Sequence, residues 1–294
     1  MPEQRRPPLR WLAIAGVLTL GAVLSVAAGD VTLRGESEPT PTEPPAALDW
    51  VVLTPGLEWG SFLPREPSAA GDSRIRVARV DPAKLEVVLF NATATEDGLP
   101  RTARDWAMRE GLLAVINASM YAEDHLTSIH MMKSADHTNN GRLGRAKAVL
   151  ALGPATPGLP EAQILDRECG DFDALRAGYG TLVQSIRMLG CSRENVWEPK
   201  DQQWSHAVIG QDAQGRLLLI HSRSPWSSHD FIDLLLSLPL DLVRLQYAEG
   251  GPPAQLFVQA GGATYEVVGM SRTPGDDSRR QVAIPNVIGV RARE

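Results

Sequence analysis

Two short clusters hold the side chains with which chemistry can be done. The first is His221, Ser222, Arg223, Ser224, Ser227 and Ser228; the second is Glu249, Gly250 and Gly251. A guanidinium forms a bidentate clamp on phosphate or carboxylate. Serines at the head of a helix cap it, and the free amides at its positive end suit an anion. Paired glycines let the backbone approach a ligand closely. Glu249 adds an acid, a base or a ligand for an ion. The combination predicts an anion site beside a carboxylate. The plainer alternative is a polar loop edge with a capped helix and a Gly-Gly turn.

Three elements must bring these clusters together. Arg216–His221 reads as a strand, Ser227 or Ser228 caps a helix running to about Leu238, and Leu242–Ala248 reads as a second strand. That crossover length fits a parallel pair, with ligands placed at the carboxyl ends of its strands. Elsewhere, Ser73–Val80 and Leu85–Phe90 flank Asp81–Lys84 like a hairpin, and Thr102 caps a short helix to about Arg109. Leu112–Asn117, Arg145–Leu152, Ala162–Glu168, Thr181–Leu189, His206–Gly210 and Val282–Val290 read as strands, and Ala254–Gln259 with Thr264–Val268 as a closing hairpin. Many strands with few helices predict one α+β domain: a mixed, largely antiparallel sheet core with one strand–helix–strand crossover near the C-terminus.

Composition removes several classes. The chain has 294 residues, with 29 Lys+Arg against 35 Asp+Glu, a net charge of −6. An acidic chain without a basic block argues against nucleic acid as partner. Charged residues at 22% and hydrophobic residues at 43% exclude wholesale disorder. Two cysteines exclude a Cys-rich zinc module.

The basic segment 1–10, with Arg5, Arg6 and Arg10, precedes an uncharged run over 11–28. As a helix that run is about 27 Å long, enough to cross a hydrocarbon core. The positive flank stays in the cytoplasm, so the remainder is outside. The run is either a retained membrane anchor or a signal peptide cleaved near Ser25-Val26-Ala27. Both place the body in an extracytoplasmic location. A Pro-rich linker over 29–47 then leads to a domain over 48–294. In an oxidising compartment Cys169 and Cys191 can pair, closing a loop worth about 3 kcal/mol; the alternative is two separate buried thiols.

Other constellations are weaker. Glu123-Asp124-His125, His130 and Asp136-His137 offer metal-ligand types, but no HExxH is present and the spacings fit no zinc signature. A solvated loop is the reading here, with a divalent cation held by carboxylates as the open alternative; no other cofactor is implied. Trp197 and Trp204 either stack on a sugar or pack. No Gly-x-Ser-x-Gly elbow supplies an esterase nucleophile.

Taken in order, several segments resemble the phosphodiester glycosidase family. Asn117-Ala118-Ser119-Met120-Tyr121 is similar to its Asn-led strand-end motif, and Gln184-Ser185 to its Gln-Ser segment. His206-Ala207-Val208-Ile209-Gly210 stands where the family has Arg-Thr-Ala-Ile-Gly. Ala248-Glu249-Gly250-Gly251 stands where it has Leu-Asp-Gly-Gly, and Ile284–Val290 is similar to its closing strand. The resemblance implies hydrolysis of a sugar-1-phosphodiester, with carbohydrate or sugar phosphate as partner. It implies Glu249 as the working carboxylate and His206 in place of the Arg as donor. It also implies Arg223, Ser222, Ser227 and Ser228 around the phosphate, and Asn117, Tyr121, Gln184, Ser185, Gly250 and Gly251 around the sugar. The departures, including Pro252-Pro253 in place of Gly-Ser, leave a second reading open: a non-catalytic envelope module that binds glycan or a protein.

Overall fold

A computed structural model describes residues 50–270 and 281–293. The basic segment, the 11–28 run and the 29–47 linker lie outside the described residues. Three sheets form the body. The first is ordered β1 (Val51–Thr54), β2 (Leu57–Phe62), β3 (Ile75–Val80), β12 (Leu217–Trp226), β11 (Trp204–Asp212), β13 (Leu242–Gly250). The second is ordered β7 (Thr138–Asn140), β6 (Met132–Lys133), β10 (Tyr179–Ser185), β8 (Ala148–Pro154), β9 (Ala162–Asp166). The third is ordered β15 (Ala263–Val268), β14 (Gln255–Ala260), β5 (Ala114–Asn117), β16 (Asn286–Ala292), β4 (Leu85–Asn91).

The alternation of apolar residues decides how these sheets meet. Trp59, Ala78 and Leu219 from the first sheet, Leu150 and Val183 from the second, and Ile116, Leu256 and Ile288 from the third share one central cluster. Strands project side chains to alternate faces, so each sheet keeps a second face to cover. A helix lies against each. Phe231, Ile232 and Leu235 of α3 (Ser228–Ser237) pack on Val208, Ile220 and Leu245. Trp106 of α1 (Ala103–Glu110) packs on Val115, Phe257 and Val287. Phe172 of α2 (Phe172–Ala177) packs on Val149 and Leu182. Each fully buried large apolar side chain contributes about 1.5–3 kcal/mol, so the helices are held by these faces rather than by their own short ladders.

The α+β architecture, the few helices and the late crossover are as the sequence implies. Two details are corrected. First, β12 and β13 run parallel, but β11 lies between them and pairs antiparallel with both. The crossover therefore spans an inserted strand, and every strand pairing among the described residues is antiparallel. Second, Asp81–Lys84 does turn the chain, with the Leu85 N–H donating to the Asp81 carbonyl at 3.0 Å, yet β3 and β4 do not pair. Both edges of β3 are taken, by β2 and β12, so the next strand has to join another sheet.

Thr102 caps α1 by accepting the Asp105 N–H at 3.1 Å. Cys169 and Cys191 form a disulfide with a Cα–Cα distance of 5.6 Å. Among the described residues no helix is long and apolar enough to cross a membrane.

Candidate functional site

Glu249 is the penultimate residue of β13, and a local irregularity sets its direction. Ala207 pairs with Glu249, whereas the next residue, Val208, pairs with Tyr247. Ala248 is thus an extra residue in β13, the arrangement of a β-bulge, which re-aims side chains at functional edges. Ala207 and Ala248 face the central cluster, while Val208 and Tyr247 face α3. Glu249 shares the face of Ala207 and looks away from α3.

Its surroundings are poor in charge. Burial pushes the Glu249 carboxyl up to about 7, partly offset by the Gly250 N–H, which donates to Oε1 at 2.9 Å. Tyr121 is half-buried and its hydroxyl is pushed up, first by burial and then by the charge of Glu249. The phenol therefore keeps its proton at neutral pH and remains a donor. A carboxyl that changes charge near pH 7 suits proton transfer. Neither acid after Tyr121 supplies a second buried carboxylate. Asp124 accepts from the Leu126 and Thr127 N–H groups, both at 2.9 Å, in a local turn, and Glu123 is exposed.

Gly250 is required by its neighbours. It pairs with His206 on the α3 face, where a Cβ would overlap the Tyr247 hydroxyl and crowd Trp204. Gly251 has φ 67, in the left-handed region, and turns the chain into Pro252-Pro253.

The remaining expected residues are framework. Asn117 donates to the Pro253 carbonyl at 3.0 Å and accepts the Gln255 N–H at 2.7 Å, so it clamps the loop after Glu249. Gln184 is fully buried. Its Oε1 accepts from Met131 and Gly144, and its Nε2 donates to the Gly144 and Ala146 carbonyls. Every bonding position of that amide is used, leaving none for a sugar. Ser185 donates to the Tyr247 carbonyl and accepts from Ser119. Ser222 donates to the Ser224 carbonyl and accepts from Trp226.

The shared anion site is corrected on geometry. Ser227 accepts the Asp230 N–H at 3.1 Å as the cap of α3. Ser228 Oγ lies 3.1 Å from His206 Nε2, and both serines are buried. The α3 amino terminus is closed and sits on the opposite face of the sheet from Glu249. Arg223 turns to the inner side and donates to the Val268 carbonyl at 3.0 Å.

His206 as a cationic donor is likewise corrected. It is fully buried and stacks on Phe231 with ring centroids 4.5 Å apart. Burial, reinforced by the neighbouring His221, pushes it down to about 3. It is neutral at physiological pH and positions the head of α3. His221, also fully buried and held by the Ala254 carbonyl at 3.1 Å, is pushed down to about 3, chiefly by burial.

The acidic stretch after Tyr121 gathers no ligand cluster among the described residues. Asp136 accepts from Ser134 at 2.7 Å, and His137 Nε2 lies 2.8 Å from Thr93 Oγ1. Asp166, Cys169 and Cys191 do cluster, but the two sulfurs are bonded to each other and offer no thiolate.

A cationic cleft is the feature the sequence reading missed. A cavity of about 640 Å³ is lined by His130, Arg142, Arg145, Lys147 and Arg167, with Glu168. A neighbouring one of about 420 Å³ shares Arg145 and Lys147 and reaches Ile186, Trp197 and Lys200. The signal was the run Arg142-Leu143-Gly144-Arg145-Ala146-Lys147, which the acidic balance of the whole chain conceals.

A family model described as phosphodiester glycosidase matches residues 110–291. The fold is similar to the catalytic domain of zebrafish N-acetylglucosamine-1-phosphodiester alpha-N-acetylglucosaminidase auto-inhibited by its pro-peptide. The identity is 13% and the TM-score 0.61, over 83% of this chain and 86% of that one. It is also similar to a hypothetical protein from Synechocystis, at 13% identity and TM-score 0.57, over 86% of this chain and 64% of that one. No curated protein matches the sequence significantly.

Proposed function

This chain belongs to the phosphodiester glycosidase family, and from that premise we propose that it hydrolyses the glycosidic bond of a sugar-1-phosphodiester, with Glu249 as general base. The observation that carries the reading is the Glu249 carboxyl, pushed up to about 7 beside a protonated Tyr121. A phosphate ester leaves without needing a proton, whereas attacking water must lose one. Glu249 takes that proton as the water oxygen bonds to the anomeric carbon. The bond from that carbon to the phosphate oxygen breaks and its electron pair stays on the phosphate. The products are a free sugar and a phosphomonoester. Tyr121 donates a hydrogen bond within the site, and the Asn117 clamp on Pro253 and Gln255 holds the loop behind Glu249.

The domain over 48–294 works outside the cytoplasm, exported by the 11–28 segment as retained anchor or cleaved signal. The Cys169–Cys191 disulfide supports this location, since such bonds persist in oxidising compartments. Release of phosphomonoester from an aryl sugar-1-phosphodiester by the full chain, lost in Glu249→Gln, tests the reading. Glycan binding without turnover in either protein would instead identify the non-catalytic module, which the two prolines after Gly251 favour.

A further inference from the structure

The cationic cleft is built rather than incidental. The backbone of residues 144–146 is fixed from beneath by two buried or half-buried side chains. Gln184 bonds Gly144 twice and the Ala146 carbonyl at 2.6 Å. Arg167 donates to the same two carbonyls at 2.6 and 3.1 Å. Arg145 projects from this fixed segment, and Arg142 lies just before it, its N–H donating to Asn140 Oδ1 at 2.9 Å; both are exposed and form no ion pair among the described residues. Lys147 is partly neutralised by Glu168, and Arg187, in the lining of the smaller cavity, by Asp166 and Glu168. His130, one of the lining residues, keeps its Nε2 buried without a hydrogen-bond partner.

Two backbone bonds tie the edges of the cleft to segments that carry the site. Ile129, on its rim, donates its N–H to the Met120 carbonyl at 3.2 Å, next to Tyr121. Ile186, at the far end, accepts the Tyr247 N–H at 2.9 Å, two residues before Glu249. In a chain with net charge −6, polyanions are repelled overall, so a local concentration of arginines selects where one can settle.

We propose that this cleft holds further phosphate groups of the substrate, so that the natural substrate is a glycan polymer whose sugars are joined through repeating phosphodiesters. This rests on Glu249 being the reaction centre; the cleft then grips the phosphates flanking the bond to be cut. The pinned backbone at residues 144–146 has no further order to lose on binding, so only the exposed side chains have to be fixed. Contacts of this type are screened by salt.

The test uses the full-length protein and a labelled poly(glycosyl-1-phosphate), with Kd measured by fluorescence anisotropy at low and at physiological salt. Arg142→Gln/Arg145→Gln is expected to raise Kd roughly tenfold at low salt and to flatten the salt dependence. Its melting temperature and its turnover of a small aryl sugar-1-phosphodiester are expected to match wild type. Wild-type affinity in the double variant overturns the proposal, as does equally tight binding of single-stranded DNA of the same charge. Arginine-dependent polymer binding without any turnover supports the cleft while refuting the catalytic reading. Turnover of the small substrate with arginine-independent polymer binding does the reverse.

Discussion

Ala207 pairs with Glu249 across β11 and β13, while its neighbour Val208 pairs with Tyr247. That one-residue slip separates the carboxylate from the head of α3, and it isolates Glu249 where burial raises its proton affinity.

Stability should record this directly. The folded Glu249 titrates at about 7, above its ordinary value of 4.5, so the folded state binds more protons than the unfolded state between those values. Folding free energy from this group is therefore undiminished below pH 4.5 and is lost as pH rises toward 7. Glu249→Gln removes the penalty. By urea titration the variant is expected to match wild type near pH 4.5 and to exceed it by up to about 3 kcal/mol at pH 8.

The buried histidines act with the opposite sign. His206 and His221 titrate at about 3 in the fold but near 6.5 when unfolded. Their neutral burial stabilises above pH 6.5, and the contribution is lost as pH falls toward 3, at about 1.4 kcal/mol per pH unit for each group. Urea titrations at pH 7, 6 and 5 should show the advantage of wild type over His221→Gln shrinking. A constant difference would mean that His221 does not titrate as its burial requires.

Gly250 and Tyr247 form a size-matched pair. Gly250→Ala drives a methyl group into the Tyr247 hydroxyl and is expected to cost about 1–3 kcal/mol. Tyr247→Phe makes room for that methyl. The double variant should be more stable than the sum of the two single effects, read as a coupling energy from thermal or urea unfolding. Simple additivity would count against the contact.

The sequence made the architecture legible where local signals agree with burial. Thr102 and Ser227 mark their helices because each accepts an N–H three residues on. The β11–β12 hairpin was evident from its glycine-ended loop. The β3–β4 hairpin was misread because a turn signal says nothing about which sheet edge is open. Gln184 looked like a sugar ligand by type and position, yet its four bonds run to residues 131–146, a partnership no local pattern announces. The bulge at Ala248 was hidden for the same reason: it is a relation between two strands. The two cysteines do pair, with a sequence separation of 22.

That disulfide gives a further expectation. Joining residues 22 apart limits the unfolded chain, and the paired Cys169→Ala/Cys191→Ala variant should unfold about 3 kcal/mol more easily. Calorimetry of oxidised wild type against the variant checks it, and equal melting temperatures would contradict it.

The most direct measurement is the pH profile of kcat/KM on an aryl sugar-1-phosphodiester for wild type and Glu249→Gln. With an ionised Glu249 accepting the proton of water, wild-type activity rises through about pH 7 and then levels, and the variant falls by about 10²–10⁴-fold at the plateau. A variant within a few-fold of wild type, or a wild-type profile flat through pH 7, would contradict Glu249 as the base.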